Sequence, residues 1–160
     1  MYPPNFNRLL AASPPIANEE EPTMLDTVRK LDYFALQAAA RPGEGARLLA
    51  ALKRHGVNLL ALVGFPTGRK AQIDLVPEDA AALRAAAKQM KLALGAKKTC
   101  FVIQGDDRVG ALAETLQTLA DAKINVTAIQ AITAGMGRYG AIFWVKPRDV
   151  ARAAKALAAS

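Results

Sequence analysis

The stretch VGALAETLQTL, residues 109–119, decides the fold, because a second version of it, PGEGARLLAAL, occupies residues 42–52. An offset of 67 residues aligns Gly43 with Gly110. The same offset aligns residues 57–62 with residues 124–129. After a short insertion, Pro77 aligns with Pro147. Such internal repetition indicates one structural unit built twice.

Each repeat has the periodicity of a β-α-β-β-α unit. Short apolar runs lead into glycine-containing turns, a helix of amphipathic spacing follows, and two branched-residue runs form a hairpin. The first helices are predicted to end near His55 and Ala122, and Asp106 or Asp107 stands where an N-cap would. Pro77 and Pro147 suit the first turn of a second helix. The predicted strands are 31–37, 57–63, 71–76 and a closing strand at Lys91–Gly95, then 99–104, 124–132 and 141–146.

This order predicts an α+β protein of two ferredoxin-like (β-α-β-β-α-β) repeats, the second lacking its own last strand. We divide the chain into a Pro-rich acidic N-terminal arm (1–28), a first repeat (29–96) and a second repeat (97–160). The free edge beside 99–104 invites pairing by another segment, and residues 23–29 could extend along that edge or along the edge of a second subunit. One apolar sheet face is left uncovered and is expected to meet another repeat or another subunit.

Composition limits the class of protein. The chain has 160 residues and 52% apolar content, which excludes a disordered protein. A single cysteine excludes an internal disulfide and a multi-cysteine zinc module. Because the sequence has neither a signal peptide nor an apolar run of membrane-spanning length, we expect a cytoplasmic protein without a membrane partner. The net charge of +7 is compatible with anionic partners.

The turn after the first strand of each repeat resembles a known family. Residues 107–112 (DRVGAL), followed by Ile124-Asn125-Val126, are similar to the ACT domain, a small-molecule-sensing module of amino-acid metabolism. The first repeat departs from the family pattern at Ala40 and Gly45, and the second departs at Val109. The resemblance implies a ligand at the seam between two modules. The implied ligand-binding residues are Asp107, Arg108, Val109, Gly110, Ala111, Asn125, Arg41, Pro42, Gly43 and Asn58.

The residue types of this motif suit an amino-acid ligand. A strand-to-helix turn presents unpaired backbone N–H groups that hold a carboxylate, and Gly43 or Gly110 lets the backbone approach closely. Asn58 and Asn125 offer both a donor and an acceptor. The alternative is purely structural, because glycine and asparagine also satisfy turn geometry.

Other candidate sites have simpler interpretations. The run Gly135–Gly140 matches a dinucleotide-binding pattern, but a strand follows it where that motif needs a helix. His55 is interpreted as a helix-end residue, Cys100 as a buried inert thiol and Trp144 as packing or interface. The adjacent Asp106 and Asp107 are interpreted as caps and not as an acid-base pair. We therefore expect no catalytic residue, no metal and no cofactor.

The sequence thus predicts an amino-acid-binding regulatory or sensor protein, not an enzyme, that acts in trans on a metabolic enzyme or regulator. A homodimer is expected. The first alternative is a basic ferredoxin-like nucleic-acid-binding protein, although strands 71–76 and 141–146 lack the basic-glycine-aromatic pattern of RNA-recognition domains. The second alternative is a purely structural interaction module.

Overall fold

The computed structural model describes residues 26–160, so residues 1–25 of the predicted arm (1–28) lie outside the described residues, and Thr27 and Val28 belong to the first strand. The order β-α-β-β-α occurs twice, which confirms the α+β class. The elements are β1 (Thr27–Ala39), α1 (Glu44–Arg54), β2 (Leu59–Thr67), β3 (Lys70–Pro77), α2 (Ala80–Gln89), β4 (Lys97–Asp106), α3 (Ala113–Asp121), β5 (Val126–Gly135), β6 (Arg138–Val145), a 3-10 turn (Pro147–Asp149) and α4 (Val150–Ala156).

All six strands form one antiparallel sheet in the order β2-β3-β1-β4-β6-β5. The first strands of the two halves, β1 and β4, pair at its centre from Thr27 opposite Gln104 to Phe34 opposite Lys97. Each half therefore contributes three strands. The first strand of the other half lies where the fourth strand of a ferredoxin-like unit would be.

The predicted closing strand Lys91–Gly95 is wrong, because residues 91–95 form a turn and an irregular link. The Gly95 N–H does donate a hydrogen bond to the carbonyl oxygen of Ala35, at 2.7 Å. Along β1 from Thr27 to Phe34, however, β4 is the neighbouring strand in the sheet. The predicted pairing of residues 23–29 with the free edge is confirmed where it is described, since Thr27–Arg29 run along β4.

The four α-helices of the described residues pack on one face of the sheet. Side chains two residues apart on a strand share a face. Val28 packs with the cluster under α3 and α4, and Phe34, six residues on, packs with the cluster under α1 and α2. The stacked rings of Phe101 and Phe143, 5.0 Å apart, fill the centre of the second half.

Local signals explain most helix ends. Asp79 caps α2 by accepting hydrogen bonds from the N–H groups of Ala81 and Ala82. Pro77 is therefore the last residue of β3, whereas the sequence predicted it in the first turn of a helix. Pro147 opens a 3-10 turn. His55 lies at the C-cap of α1, as predicted.

Asp106 and Asp107 are not helix caps, because Leu112 occupies the N-cap of α3. The loop between β4 and α3 is longer than the predicted turn. Asp106 is the last residue of β4 and forms an ion pair with Arg138 of the neighbouring strand β6.

None of the helices among residues 26–160 lies on the other face of the sheet. Its centre is an apolar cluster that includes Tyr33, Val63 and Cys100. Burial raises the pKa of Cys100 to about 12, and nearby carboxylates add to this effect, as expected for an inert thiol. The edge strands β2 and β5 line the same cavities on this face, so the sheet is curled into a trough. None of the described helices is long and apolar enough to cross a membrane.

Candidate functional site

The candidate turn of the second half joins β4 to α3. Gly110 has a φ of 76°, in the left-handed region that favours glycine. The carbonyl oxygen of Gly110 accepts a hydrogen bond from the Ala113 N–H at 2.8 Å, and the Asp107 N–H donates to the carbonyl oxygen of Gly137 at 2.7 Å. The turn is therefore tied both to the start of α3 and to the β5–β6 hairpin.

A cavity of about 300 Å³ lies against this turn. Asp107, Gly110 and Ala111 line one side, and Ile132 of β5 and Tyr139 of β6 line another. The first N–H groups of α3 have no partner within the helix, so this end of the cavity favours a negatively charged group.

The matching turn of the first half borders a cavity of about 440 Å³. Arg41 and Pro42 line it, and Gly43, with a φ of 89°, is the N-cap of α1. Leu62 and Phe65 of the edge strand β2 form its apolar wall. Both turns therefore open onto a cavity between the first helix and the edge strand of their own half.

The two predicted asparagines lie elsewhere. Because β1 and β2 both run antiparallel to β3, they are parallel to each other. Gly43 follows the end of β1 and Asn58 precedes the start of β2, so the two residues lie at opposite ends of the sheet. The Asn58 side chain instead donates to the Glu78 carboxylate at 3.0 Å. In the second half, β4 and β5 are likewise parallel, so Asn125 before β5 and Gly110 after β4 also lie at opposite ends of the sheet.

Arg108 and Val109 also point away from the cavity. The Val109 side chain is fully exposed. The Arg108 guanidinium donates two hydrogen bonds to the Asp26 carboxylate, each at 3.0 Å. The Tyr139 hydroxyl donates a further bond to Asp26 at 2.9 Å. We call the group of Asp26, Arg108 and Tyr139 the Asp26 clamp; sequence reasoning missed it.

The Asp26 clamp needs a glycine at position 105. A Cβ there would overlap the Asp26 carboxylate and lie 2.8 Å from a ring carbon of Tyr139. A glycine inside a strand marks a close approach of this kind, and this was the signal that the sequence offered. The clamp therefore fastens the start of β1 beside the candidate turn.

The hydrogen bonds of the Asp26 clamp shift the pKa values of Asp26 and Tyr139. Burial alone would raise the pKa of Asp26, but the hydrogen bonds from Arg108 and Tyr139 and the charges of Arg108 and Arg138 outweigh it and lower that pKa below 3.8. Burial and then the Asp26 carboxylate raise the pKa of Tyr139 to about 12. Since the folded-state pKa of Asp26 is lowered, its stabilisation is present above about pH 3.8 and is lost as the pH falls through the lowered value.

Matched apolar side chains are exposed beside the two cavities. Leu49, Leu62 and Phe65 in the first half correspond, at the offset of 67, to Leu116, Ile129 and Ile132 in the second. Ile132 is 74% exposed. We call these two sets the edge triads. Each lies on the first helix and the unpaired edge strand of its half. Among residues 26–160, no group of three or more metal-binding side chains accompanies them.

A comparison with known families finds a match in the second half. A model of the ACT domain family matches residues 100–159, the segment that carries the candidate turn with Gly110. No curated protein sequence matches the chain.

Solved structures with the same fold cover both halves. The chain is similar to a protein from Bacteroides thetaiotaomicron, at 18% identity and a TM-score of 0.63 over 81% of this chain and 88% of that one. It is also similar to the regulatory subunit of aspartate kinase from Thermus thermophilus, at 15% identity and a TM-score of 0.58 over 86% of this chain and 97% of that one. It covers 33% of the allosteric aspartate kinase of Clostridium acetobutylicum, at 15% identity and a TM-score of 0.51. Residues 100–159 thus match the ACT domain, and the described chain shares the fold of an aspartate kinase regulatory subunit.

Proposed function

We propose that this protein is an amino-acid sensor that regulates a metabolic enzyme or regulator in trans and has no catalytic role of its own. One observation carries the proposal: the same local structure occurs at Gly43 and at Gly110. In each case a glycine with a left-handed backbone conformation lies in a strand-to-helix turn beside a cavity. The ACT match over residues 100–159 and the likeness to a regulatory subunit support it.

The proposed ligand is an amino acid or a related carboxylate. Its carboxylate would lie at the start of α3, where the helix dipole favours negative charge. Ile132 and Tyr139 offer the contact surface for the ligand's side chain. The second half is the stronger of the two sites, because it keeps the DRVGAL sequence at residues 107–112.

The edge triads support a homodimer as the working form. Antiparallel pairing of β5 with β5 of a second copy would put the start of one strand beside the end of the other. Asn125 of the partner subunit would then lie beside the Gly110 cavity, which it does not reach within one copy. Pairing would also cover Ile129 and Ile132 and remove an unpaired edge.

This dimer predicts unequal effects of two matched substitutions. Ile132→Lys buries a charge in the proposed seam and should give a monomer in sedimentation velocity. Phe65→Lys makes the same change at the corresponding position of β2 and should leave the dimer intact. A monomeric Phe65→Lys variant beside a dimeric Ile132→Lys variant would contradict the choice of β5.

Ligand binding should be visible as thermal stabilisation. Binding to the native state adds about 2.7 kcal/mol at a ligand concentration of a hundred times Kd, which is several degrees for a chain of this size. We expect at least one proteinogenic amino acid to produce this shift in a screen at millimolar concentrations. No shift with any of them would favour the purely structural alternative.

Variants should locate that binding in the second half. The pair Gly110→Ala with Asn125→Ala should abolish the ligand-induced shift, whereas Gly43→Ala with Asn58→Ala should reduce it less. Gly68→Ala is the matched control, since Gly68 has a φ of 61° and lies in the β2–β3 hairpin outside both turn cavities. It imposes the same backbone strain and should leave the shift unchanged. Equal losses from the two pairs would contradict the ranking of the halves.

A further inference from the structure

The trough on the face away from the described helices contains a further cavity, which shares Phe65 with the cavity at the Gly43 turn and no lining residue with the cavity at the Gly110 turn. Its volume is about 960 Å³. Tyr33 of β1, Asp74 of β3, Lys98 of β4 and Trp144 of β6 line it. In the strand register, Tyr33 lies opposite Lys98, and Asp74 lies opposite Ala35. These side chains therefore occupy neighbouring positions across the middle of the sheet.

Asp74 is a buried carboxylate without a cation. Only 5% of the residue is exposed. Its Oδ1 accepts a hydrogen bond from Gln72 at 2.9 Å, and no lysine or arginine among residues 26–160 forms an ion pair with it. A buried carboxylate normally has a positive partner, because burial of an unpaired charge is costly. The cavity beside Asp74 is thus suited to a cation.

Two aromatic side chains form a corner in the same cavity. The rings of Tyr33 and Trp144 meet edge to face, with centroids 6.2 Å apart and planes at 82°. The Trp144 indole nitrogen is buried, and its N–H interacts with the Tyr33 hydroxyl. Burial raises the pKa of Tyr33, and the Asp74 charge raises it further, so its hydroxyl stays protonated. Aromatic faces attract organic cations and pack against apolar ligand groups.

We propose that this trough binds a small organic monoamine with an apolar body. The ammonium group donates to the Asp74 carboxylate, and the body lies in the corner of Tyr33 and Trp144. Lys98 is exposed at the rim and has no ion-pair partner among residues 26–160. Its charge disfavours a polyamine, whose second cation would extend towards the rim. This site is independent of the proposed amino-acid sensing.

The chain carries its own reporter for this site, since Trp144 is its only tryptophan. Phenethylamine should change the fluorescence of the full chain saturably. At equal concentration, 3-phenylpropionate, with a carboxylate in place of the amine, and spermidine should change it little. This comparison needs no variant and therefore does not depend on whether a substitution folds.

Asp74→Asn keeps an acceptor for Gln72 and removes the charge. It should weaken phenethylamine binding by about tenfold or more, as expected for loss of a hydrogen bond to a charged group. The matched control is Asp121→Asn, because Asp121 also accepts a hydrogen bond from a glutamine side chain and lies on α3, outside this cavity. It should bind phenethylamine as the unchanged chain does.

Three results would overturn the proposal. The first is an equal response to 3-phenylpropionate and phenethylamine. The second is unchanged binding by Asp74→Asn. The third is a Trp144 emission that shifts with protein concentration and not with phenethylamine, which would assign the trough to a second copy of the chain.

Discussion

Deletion of residues 1–28 is expected to lower the melting temperature by roughly 10 °C more than deletion of residues 1–25 does. The two deletions differ by only three residues. Asp26 forms the Asp26 clamp with Arg108 and Tyr139. Thr27 and Val28 pair with β4, and Val28 also packs on the core of the second half. Loss of these hydrogen bonds and of the partly buried valine should cost about 4 kcal/mol.

Differential scanning calorimetry of the two truncated chains measures this difference. The shorter deletion is the control, because it removes none of the described contacts. Sedimentation velocity on both samples shows whether the oligomeric state changes as well. Equal melting temperatures would mean that β1 does not need its first residues, and that the Asp26 clamp contributes nothing to stability.

Gly105→Ala is expected to be the most damaging single methyl addition in the sheet. The new Cβ would occupy the place of the Asp26 carboxylate and press on the Tyr139 ring. The carboxylate must leave and the buried Tyr139 hydroxyl loses its acceptor, so we expect a loss of about 3 kcal/mol. The control is Gly64→Ala in β2, where a Cβ meets no atom within 4 Å. That variant should be neutral or slightly stabilising.

A double-mutant cycle isolates the cause of this loss. If the damage comes from expulsion of the carboxylate, Gly105→Ala should cost about 2 kcal/mol less in a chain that already carries Asp26→Ala. Urea unfolding of the four chains at pH 7 gives the coupling. Strictly additive losses would show that the Tyr139 ring, and not Asp26, makes glycine necessary at position 105.

The repeated unit could be predicted from the sequence because its signals are local. Alternating and helical apolar patterns specify strands and helices one element at a time, and the offset of 67 shows that the pattern recurs. The edge triads follow the same offset, from Leu62 and Ile129 to Phe65 and Ile132. Both turn glycines, Gly43 and Gly110, have the left-handed backbone that the motif needs.

Apart from the pairing of Thr27–Arg29 with β4, long-range pairing could not be predicted in this way. The closing strand at 91–95 was expected from the outline of a single unit, but in the folded chain β1 and β4 complete each other's half. The Asp26 clamp joins residues 82 positions apart, and no periodicity connects them. The separation of Asn125 from Gly110 likewise depends on the directions of the strands in the sheet, which cannot be predicted from a short local motif.

The central claim is that an amino acid binds at the turn of the second half. A ¹H–¹⁵N correlation spectrum, recorded while the amino acid that gives the largest thermal shift is titrated in, tests this residue by residue. The proposal predicts saturable shifts concentrated in the backbone amides of residues 107–113, with the indole N–H of Trp144 unmoved. A titration that shifts the Trp144 indole and leaves the Gly110 and Ala111 amides unchanged would contradict it.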